Sequence, residues 1–272
     1  MSQTLAILLG PGAAGGHGEG DGPLRWALRD DETGVIVGEG PVAPPMTPDA
    51  EPEASPGESA ARLADLAAMG AERTLAIVPG AHVALKVVEL PAKTDAQARA
   101  AAPFLLEDDV AEDIDQSHLA LGPARAPRGG EDGGTARAVA IVSRTRLAAW
   151  RAPFDAAELR LTHMTPDYLA VAPERRNGAL WDLGDRLVAA FVDDAGERSG
   201  FALEPELATT LIGPCAQRAG AETVELRSMR AGALMEAMGQ DGPNLAIGAA
   251  GGAQAFLAEA LTAFAAERPL NL

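Results

Sequence analysis

Three glycine-bearing stretches carry the residue types that handle phosphate. Asp182-Leu183-Gly184-Asp185 is a D-x-G turn, whose backbone N–H groups can face a phosphate while the acid holds Mg2+ through water. The same residues suit a plain hairpin turn, because Gly-Asp is favoured there for backbone reasons alone. Gly248-Ala249-Ala250-Gly251-Gly252 precedes an apolar helical pattern. Such glycines permit close approach of a nucleotide, and they equally suit a loop that opens a helix. Gly10 to Gly15 matches G-x-G-x-x-G, but the dinucleotide reading needs a helix to open there, facing the pyrophosphate. Seven glycines and two prolines between Gly10 and Pro23 oppose that helix, so a loop is expected.

No complete catalytic set accompanies these stretches. His17, His82, His118 and His163 show no ligand spacing of the H-E-x-x-H kind. Cys215 falls in a predicted helix with no base or orienting group to nominate beside it. Glu107, Asp108, Asp109, Glu112, Asp113 and Asp115 place six acids in nine residues with no base among them. A solvated helical face explains acids alone; crowding of like charge costs stability, which favours a partner that neutralises them. Paired carboxylates for glycosidic chemistry would need apolar and aromatic surroundings that this stretch lacks.

The formal net charge of −17, with only Lys86 and Lys93 as lysines, opposes binding to nucleic acid and to anionic lipid. One cysteine excludes a disulfide framework. No run of about 20 apolar residues occurs to span a bilayer. The length of 272 residues suits two or three domains, and 47% apolar residues with 4% aromatics predict a core of Ala, Leu and Val.

The elements that position these residues fall into three regions. Residues 1–81 read as β-β-β-α-β: strands at Thr4–Leu9, Leu24–Arg29 and Gly34–Val37, a helix capped by Ser55 to about Met69, and a strand at Thr74–Val78. Residues 82–160 read as β-α-β-β-α, with a strand at His82–Leu90, a helix capped by Thr94 and Gln97, an interruption at Pro103, strands at Ser117–Leu121 and Ala136–Val142, and a helix at Arg144–Ala157. Residues 161–272 repeat the first order: strands at Gly178–Leu183, Arg186–Asp193 and Arg198–Ala202, then a helix at Pro205–Ala219, a strand at Glu222–Leu226, and helices at Ala231–Gly239 and Ala253–Ala266.

One stretch carries a family resemblance. Val83 to Ala92 is a strand ending in Leu90-Pro91. Ala102-Pro103-Phe104-Leu105-Leu106-Glu107 leads into the acids, and His118-Leu119-Ala120-Leu121-Gly122 follows as a strand. With Val139 to Val142, Trp150, Pro166-Asp167-Tyr168-Leu169-Ala170 and the closing Asn271-Leu272, this resembles the cytoplasmic region of type II secretion protein L. The resemblance implies an α/β (α+β) fold: two ribonuclease-H-like domains of the actin-like ATPase type, at 1–81 and 161–272, flanking a smaller α+β middle domain at 82–160. It implies a non-catalytic scaffold at the cytoplasmic face of the inner membrane that recruits the secretion ATPase, protein E, with platform proteins M and F reached through the full-length protein. It also implies a membrane helix after Leu272 and leaves a homodimer open. Glu107, Asp108, Glu112, Asp113 and Asp115 are the expected partner-binding residues, with no cofactor or metal. Two other readings stay open: an actin-like nucleotide-binding protein, on Asp182–Asp185 and Gly248–Gly252, and a related pilus-assembly scaffold. Against the first, the loop after the first strand, Leu8 to Gly12, has no acid.

Overall fold

The computed structural model describes residues 2–10, 25–41, 56–92, 94–110, 113–126, 135–238, 244–249 and 251–272. The G-x-G-x-x-G stretch beyond Gly10, the Ser55 cap, Glu112 and most of the Gly122–Thr135 loop lie outside them.

Three sheets organise the chain. The first takes β1 (Gln3–Leu8), β2 (Arg25–Asp30), β3 (Ile36–Pro41), β4 (Arg73–Val78) and β8 (His163–Pro166) in the order β3-β2-β1-β4-β8. β2 and β3 form the expected hairpin, antiparallel to each other and to β1, while β1, β4 and β8 run parallel. The second sheet repeats this pattern as β11-β10-β9-β12-β13, from β9 (Asn177–Asp182), β10 (Leu187–Val192), β11 (Arg198–Leu203), β12 (Thr223–Arg227) and β13 (Leu245–Ile247). The third is antiparallel, β5-β7-β6, from β5 (Ala84–Leu90), β6 (Ser117–Leu121) and β7 (Thr135–Ser143). The helices are α1 (Pro56–Ala67), α2 (Asp95–Leu106), α3 (Arg144–Ala156), α4 (Asp167–Ala170), α5 (Pro205–Ala219), α6 (Ala231–Met238) and α7 (Ala253–Ala266).

Strand alternation sorts the core. Successive side chains of a strand point to opposite faces. In the first sheet Leu5, Ile7, Ala76 and Val78 turn to one cluster with Leu63 and Leu66 of α1, Trp150 and Phe154 of α3, and Ala140 and Val142 of the third sheet. Ala6, Leu8, Leu75 and Ile77 turn the other way, to a cluster that includes Ala179, Trp181, Val188 and Ala190 of the second sheet and Phe256 of α7. In the second sheet Leu180, Leu187, Ala189 and Phe191 face Ile212 and Ala216 of α5 and Leu234 of α6. The two five-stranded sheets therefore share one core layer.

Several sequence expectations shift. β8 falls in the third sequence region, yet it pairs with β4 and completes the first sheet. The strand expected from His82 begins at Ala84, because Gly80–His82 form a 3-10 turn. Pro103 does not interrupt α2, which runs unbroken to Leu106. A proline forfeits the bond to the carbonyl four residues back, here Arg99, whose side chain is exposed to water. The largest change concerns the acids. They do not continue a helix: Glu107–Asp109 and Ile114–Gln116 are separate 3-10 turns. The carbonyl end of a helix repels carboxylates, and no base lies in the last turn of α2 to offset them.

Candidate docking surface and the closed nucleotide loops

The turn after α2 brings apolar and acidic side chains together. Thr94 caps the N-terminus of α2, its hydroxyl accepting from the Gln97 N–H at 3.3 Å, and Ala98, Ala102 and Leu106 bury one face against β7. Phe104, on the opposite face, is 80% exposed, and Leu105, at the flank of the buried stripe, 48%. Glu107 and Asp108 follow in the exposed turn, and Asp113 and Asp115 are exposed before β6. Asp113 Oδ1 accepts from the Asp115 N–H at 3.0 Å, which fixes the second turn. Phenylalanine on a surface that water covers forgoes the burial it would gain in a core, and Phe104 leaves such a side chain exposed beside this acid rim.

Where they are described, the Asp182 and Gly248 stretches are packed against the chain's own side chains. Asp182 ends β9, and Gly184, at φ +98°, makes the turn that only glycine adopts easily. The Asp182 carboxylate accepts from the Gly184 N–H at 3.0 Å, the Ser228 hydroxyl at 2.7 Å, and Arg230 Nε and Nη2, both at 2.9 Å. A carboxylate so engaged has few lone pairs left for a hydrated cation. Gly248 and Gly251 are close-packed positions: a Cβ on Gly248 would strike the Glu225 side chain, and one on Gly251 would come within 2.6 Å of the Arg227 carbonyl. Arg227 lies over the Trp181 ring at 5.0 Å and pairs with Glu225 and Glu259, each at 2.8 Å. Burial raises the Glu259 carboxyl above its ordinary range, and Arg227 partly offsets this.

A second internal ligand fills the crevice at the carboxyl ends of β1, β4 and β8, the place where open α/β sheets bind ligands. Asp167 opens α4 and is fully buried. Its Oδ1 accepts from the Gly80 N–H at 3.1 Å and the Tyr168 N–H at 2.8 Å, and its Oδ2 from Arg186 Nε at 2.7 Å. Arg186, in the β9–β10 turn, also donates to the Leu9 carbonyl at 3.2 Å and to Asp185 at 2.8 Å. Tyr168 donates to the Val83 carbonyl at 2.9 Å, and burial pushes its phenol far above its usual range. Burial likewise pushes Asp167 up, while Arg186 and the two N–H groups pull it back. Sequence reading passed over this pair. A lone acid in the otherwise uncharged stretch Leu161–Ala172 was the available signal.

The remaining described candidates make packing contacts, and His17 lies outside the described residues. Cys215 is half-buried in α5, and burial pushes its thiol up. Among the described residues no His, Cys, Asp and Glu side chains converge into a metal-binding set, and no helix is long and apolar enough to cross a membrane. His163 holds the chain's last residues: its Nε2 lies 2.8 Å from the Pro269 carbonyl, which can only accept, so Nε2 carries the proton. Asn271 Oδ1 accepts from the Met164 N–H at 2.8 Å, and the Leu272 N–H donates to the Met164 carbonyl at 2.9 Å. Burial, and to a lesser degree Arg268, hold the His163 imidazole below its ordinary value, against the bond to Pro269. His82 and His118 are held down by burial too, then by nearby arginines. The folded state thus binds fewer protons than the unfolded chain, so the histidine contribution is present above the ordinary imidazole pKa, about 6.5, and fades as pH falls below it. The melting midpoint is expected to drop between pH 7.5 and 5.5, and less steeply in His163→Gln; equal slopes would refute a role for His163.

Comparison with known proteins agrees with the sequence resemblance. The family described as Type II secretion system (T2SS), protein L matches residues 54–211, more than half of the chain. Type II secretion system protein L of Klebsiella pneumoniae is 35% identical over 95 residues, and that of Dickeya chrysanthemi 32% over 95 residues. Each match covers 35% of this chain and 22% of the relative. The cytoplasmic domain of EpsL, an inner membrane component of the type II secretion system of Vibrio cholerae, superposes with TM-score 0.63 at 18% identity, covering 96% of this chain and 95% of that one. The PilM-PilN type IV pilus biogenesis complex gives TM-score 0.57 at 13% identity, covering 94% and 98%. These two likenesses show a shared mixed α/β fold. The chain belongs to the type II secretion system protein L family.

Proposed function

We propose that this chain is a non-catalytic scaffold at the cytoplasmic face of the inner membrane, which recruits the secretion ATPase, protein E, to the secretion platform. The observation that carries this reading is the state of the Asp182 turn: the carboxylate that would serve Mg2+ is held by Arg230 and Ser228. The two sheets of like strand order support two ribonuclease-H-like domains of the actin-like type, one built on 1–81 and completed by β8, the other on the rest of 161–272, with 82–160 as the middle domain. The docking surface is Phe104 and Leu105 with Glu107, Asp108, Glu112, Asp113 and Asp115. Platform proteins M and F meet the full-length protein elsewhere, and a homodimer is compatible with this arrangement.

Calorimetry with the N-terminal region of a cognate secretion ATPase tests the reading. Micromolar affinity is expected. Joint replacement Asp108→Lys and Phe104→Ala is expected to weaken it at least ~30-fold, the scale of a hot-spot contact above 2 kcal/mol. Absence of binding at micromolar concentration would refute the scaffold, and undiminished affinity of the variant would move the interface elsewhere. ATP with Mg2+ is expected to leave the melting midpoint unchanged. Ligand that binds the native state must raise it, so a rise would favour a nucleotide-binding protein.

A further inference from the structure

β6 is an edge strand of the third sheet. The Gly122 N–H donates to the Ala138 carbonyl at 2.8 Å, continuing the register in which Ala120 faces Ala140 and His118 faces Val142. Backbone groups of an antiparallel ladder alternate with a period of two. Those of His118 and Ala120 therefore turn toward β7, and those of Leu119 and Leu121 turn away from the sheet. An edge of this kind is a template for another strand.

The α3 side of the same edge carries a groove. It has a volume of about 360 Å³, and its lining includes His118, Arg144, Leu147, Arg151 and Asp155. Among the described residues no carboxylate pairs with Arg144 or Arg151; Arg144 Nε donates to the main-chain carbonyl of Asp115 at 3.0 Å. Their charge is felt inside the groove, since both arginines add to burial in holding the His118 imidazole below its ordinary value. Other described arginines also lack acidic partners, but these two line one groove on a chain of net charge −17. Asp155 is the only acid among the lining residues.

The geometry points to β6 and this groove as a docking site for an extended acidic peptide of a partner protein. The peptide adds as a strand along Leu119 and Leu121. Every second side chain of an added strand faces α3, where a carboxylate meets Arg144 and Arg151 and a small apolar residue meets Leu147. A second copy of the chain fits less well: its acids after α2 lie on 3-10 turns, which cannot pair as a strand. This site adjoins the end of the acidic surface, where Arg144 bonds the Asp115 carbonyl, but it uses other side chains, and the peptide titration tests it independently of ATPase recruitment.

A fluorescein-labelled seven-residue peptide of alternating Glu and Val serves as the probe in anisotropy titrations at low salt. Saturable binding is expected, at least tenfold weaker for the Lys/Val counterpart and for the Arg144→Glu, Arg151→Glu protein. Both arginines are exposed, so the fold should survive, with an unchanged melting midpoint as the control. N-methylation of alternate peptide nitrogens leaves the protein untouched and is expected to abolish binding, and amide exchange should slow at Leu119 and Leu121. Binding that withstands N-methylation or arginine reversal would overturn the proposal, as would absence of saturable binding. A dimer seen in sedimentation that arginine reversal dissociates would make the occupant a second copy and overturn it too.

Discussion

Replacing Asp167 by alanine is expected to lower the unfolding free energy by roughly 3–5 kcal/mol, the usual cost of removing one partner of a buried ion pair. Arg186 is only 6% exposed at its side chain, so its guanidinium cannot recover full hydration. Asp185 remains beside it but is itself 35% exposed, and it compensates in part. The Gly80 and Tyr168 N–H groups lose their acceptor as well, and an unmet buried donor carries its own penalty. The double variant Asp167→Leu, Arg186→Met should be less destabilised than Asp167→Ala, since an apolar pair leaves no charge behind. Urea unfolding followed by circular dichroism measures both as shifts in midpoint. A loss below ~1 kcal/mol in the single variant would mean that the pair is solvated, and that the crevice is open to a ligand after all.

Much of this fold was legible because its signals were local. β1, α2, α5 and α7 announce themselves through a buried apolar run, a Thr94 cap, a Pro205 start with Gly220 past the end, and a 3.6-residue stripe. What escaped was non-local. β8 is four residues long and contains His163 and Pro166, too short for any period to register, and its identity as a strand depends on β4 lying beside it. β13, with three residues, escaped for the same reason. The apolar residues Ala98, Ala101, Leu105 and Val110 recur at helical spacing into the acids, but the repulsion between a helix end and successive carboxylates overrides that spacing. In the candidate site, the Asp182 turn was recognised as a turn, but the side chain that closes it, Arg230, lies 48 residues away. The Asp167–Arg186 pair was invisible for a related reason: Asp167 opens α4 just after β8 of the first sheet, and Arg186 lies in the β9–β10 turn of the second.

Phe256→Ala is expected to destabilise the chain by about 3–5 kcal/mol, the range for a fully buried aromatic that leaves a cavity, and to do so without splitting the unfolding transition. Phe256, Leu257, Ala260, Leu261 and Phe264 form the buried stripe of α7, at the spacing of one helix face. That face shares a core cluster with Ala6, Ala27, Leu75 and Ile77 of the first sheet and Ala179, Val188 and Ala202 of the second. Phe256 itself meets Trp181 edge-on, with ring centroids 5.4 Å apart. The helix that closes the sequence therefore packs where its sequence neighbours do not predict, between the ends of the chain. Independent sheets would each need a covered face of their own, and here both use the same helix for it. Loss of Phe256 should weaken both together. Tryptophan fluorescence reports Trp181 from the shared core, with Trp150 and Trp26 from the α3 side of the first sheet, while far-UV circular dichroism reports all elements. Coincident curves shifted to lower urea are the expected outcome. Separation of the fluorescence and dichroism midpoints would show that the second sheet unfolds alone, and that α7 belongs energetically to the first.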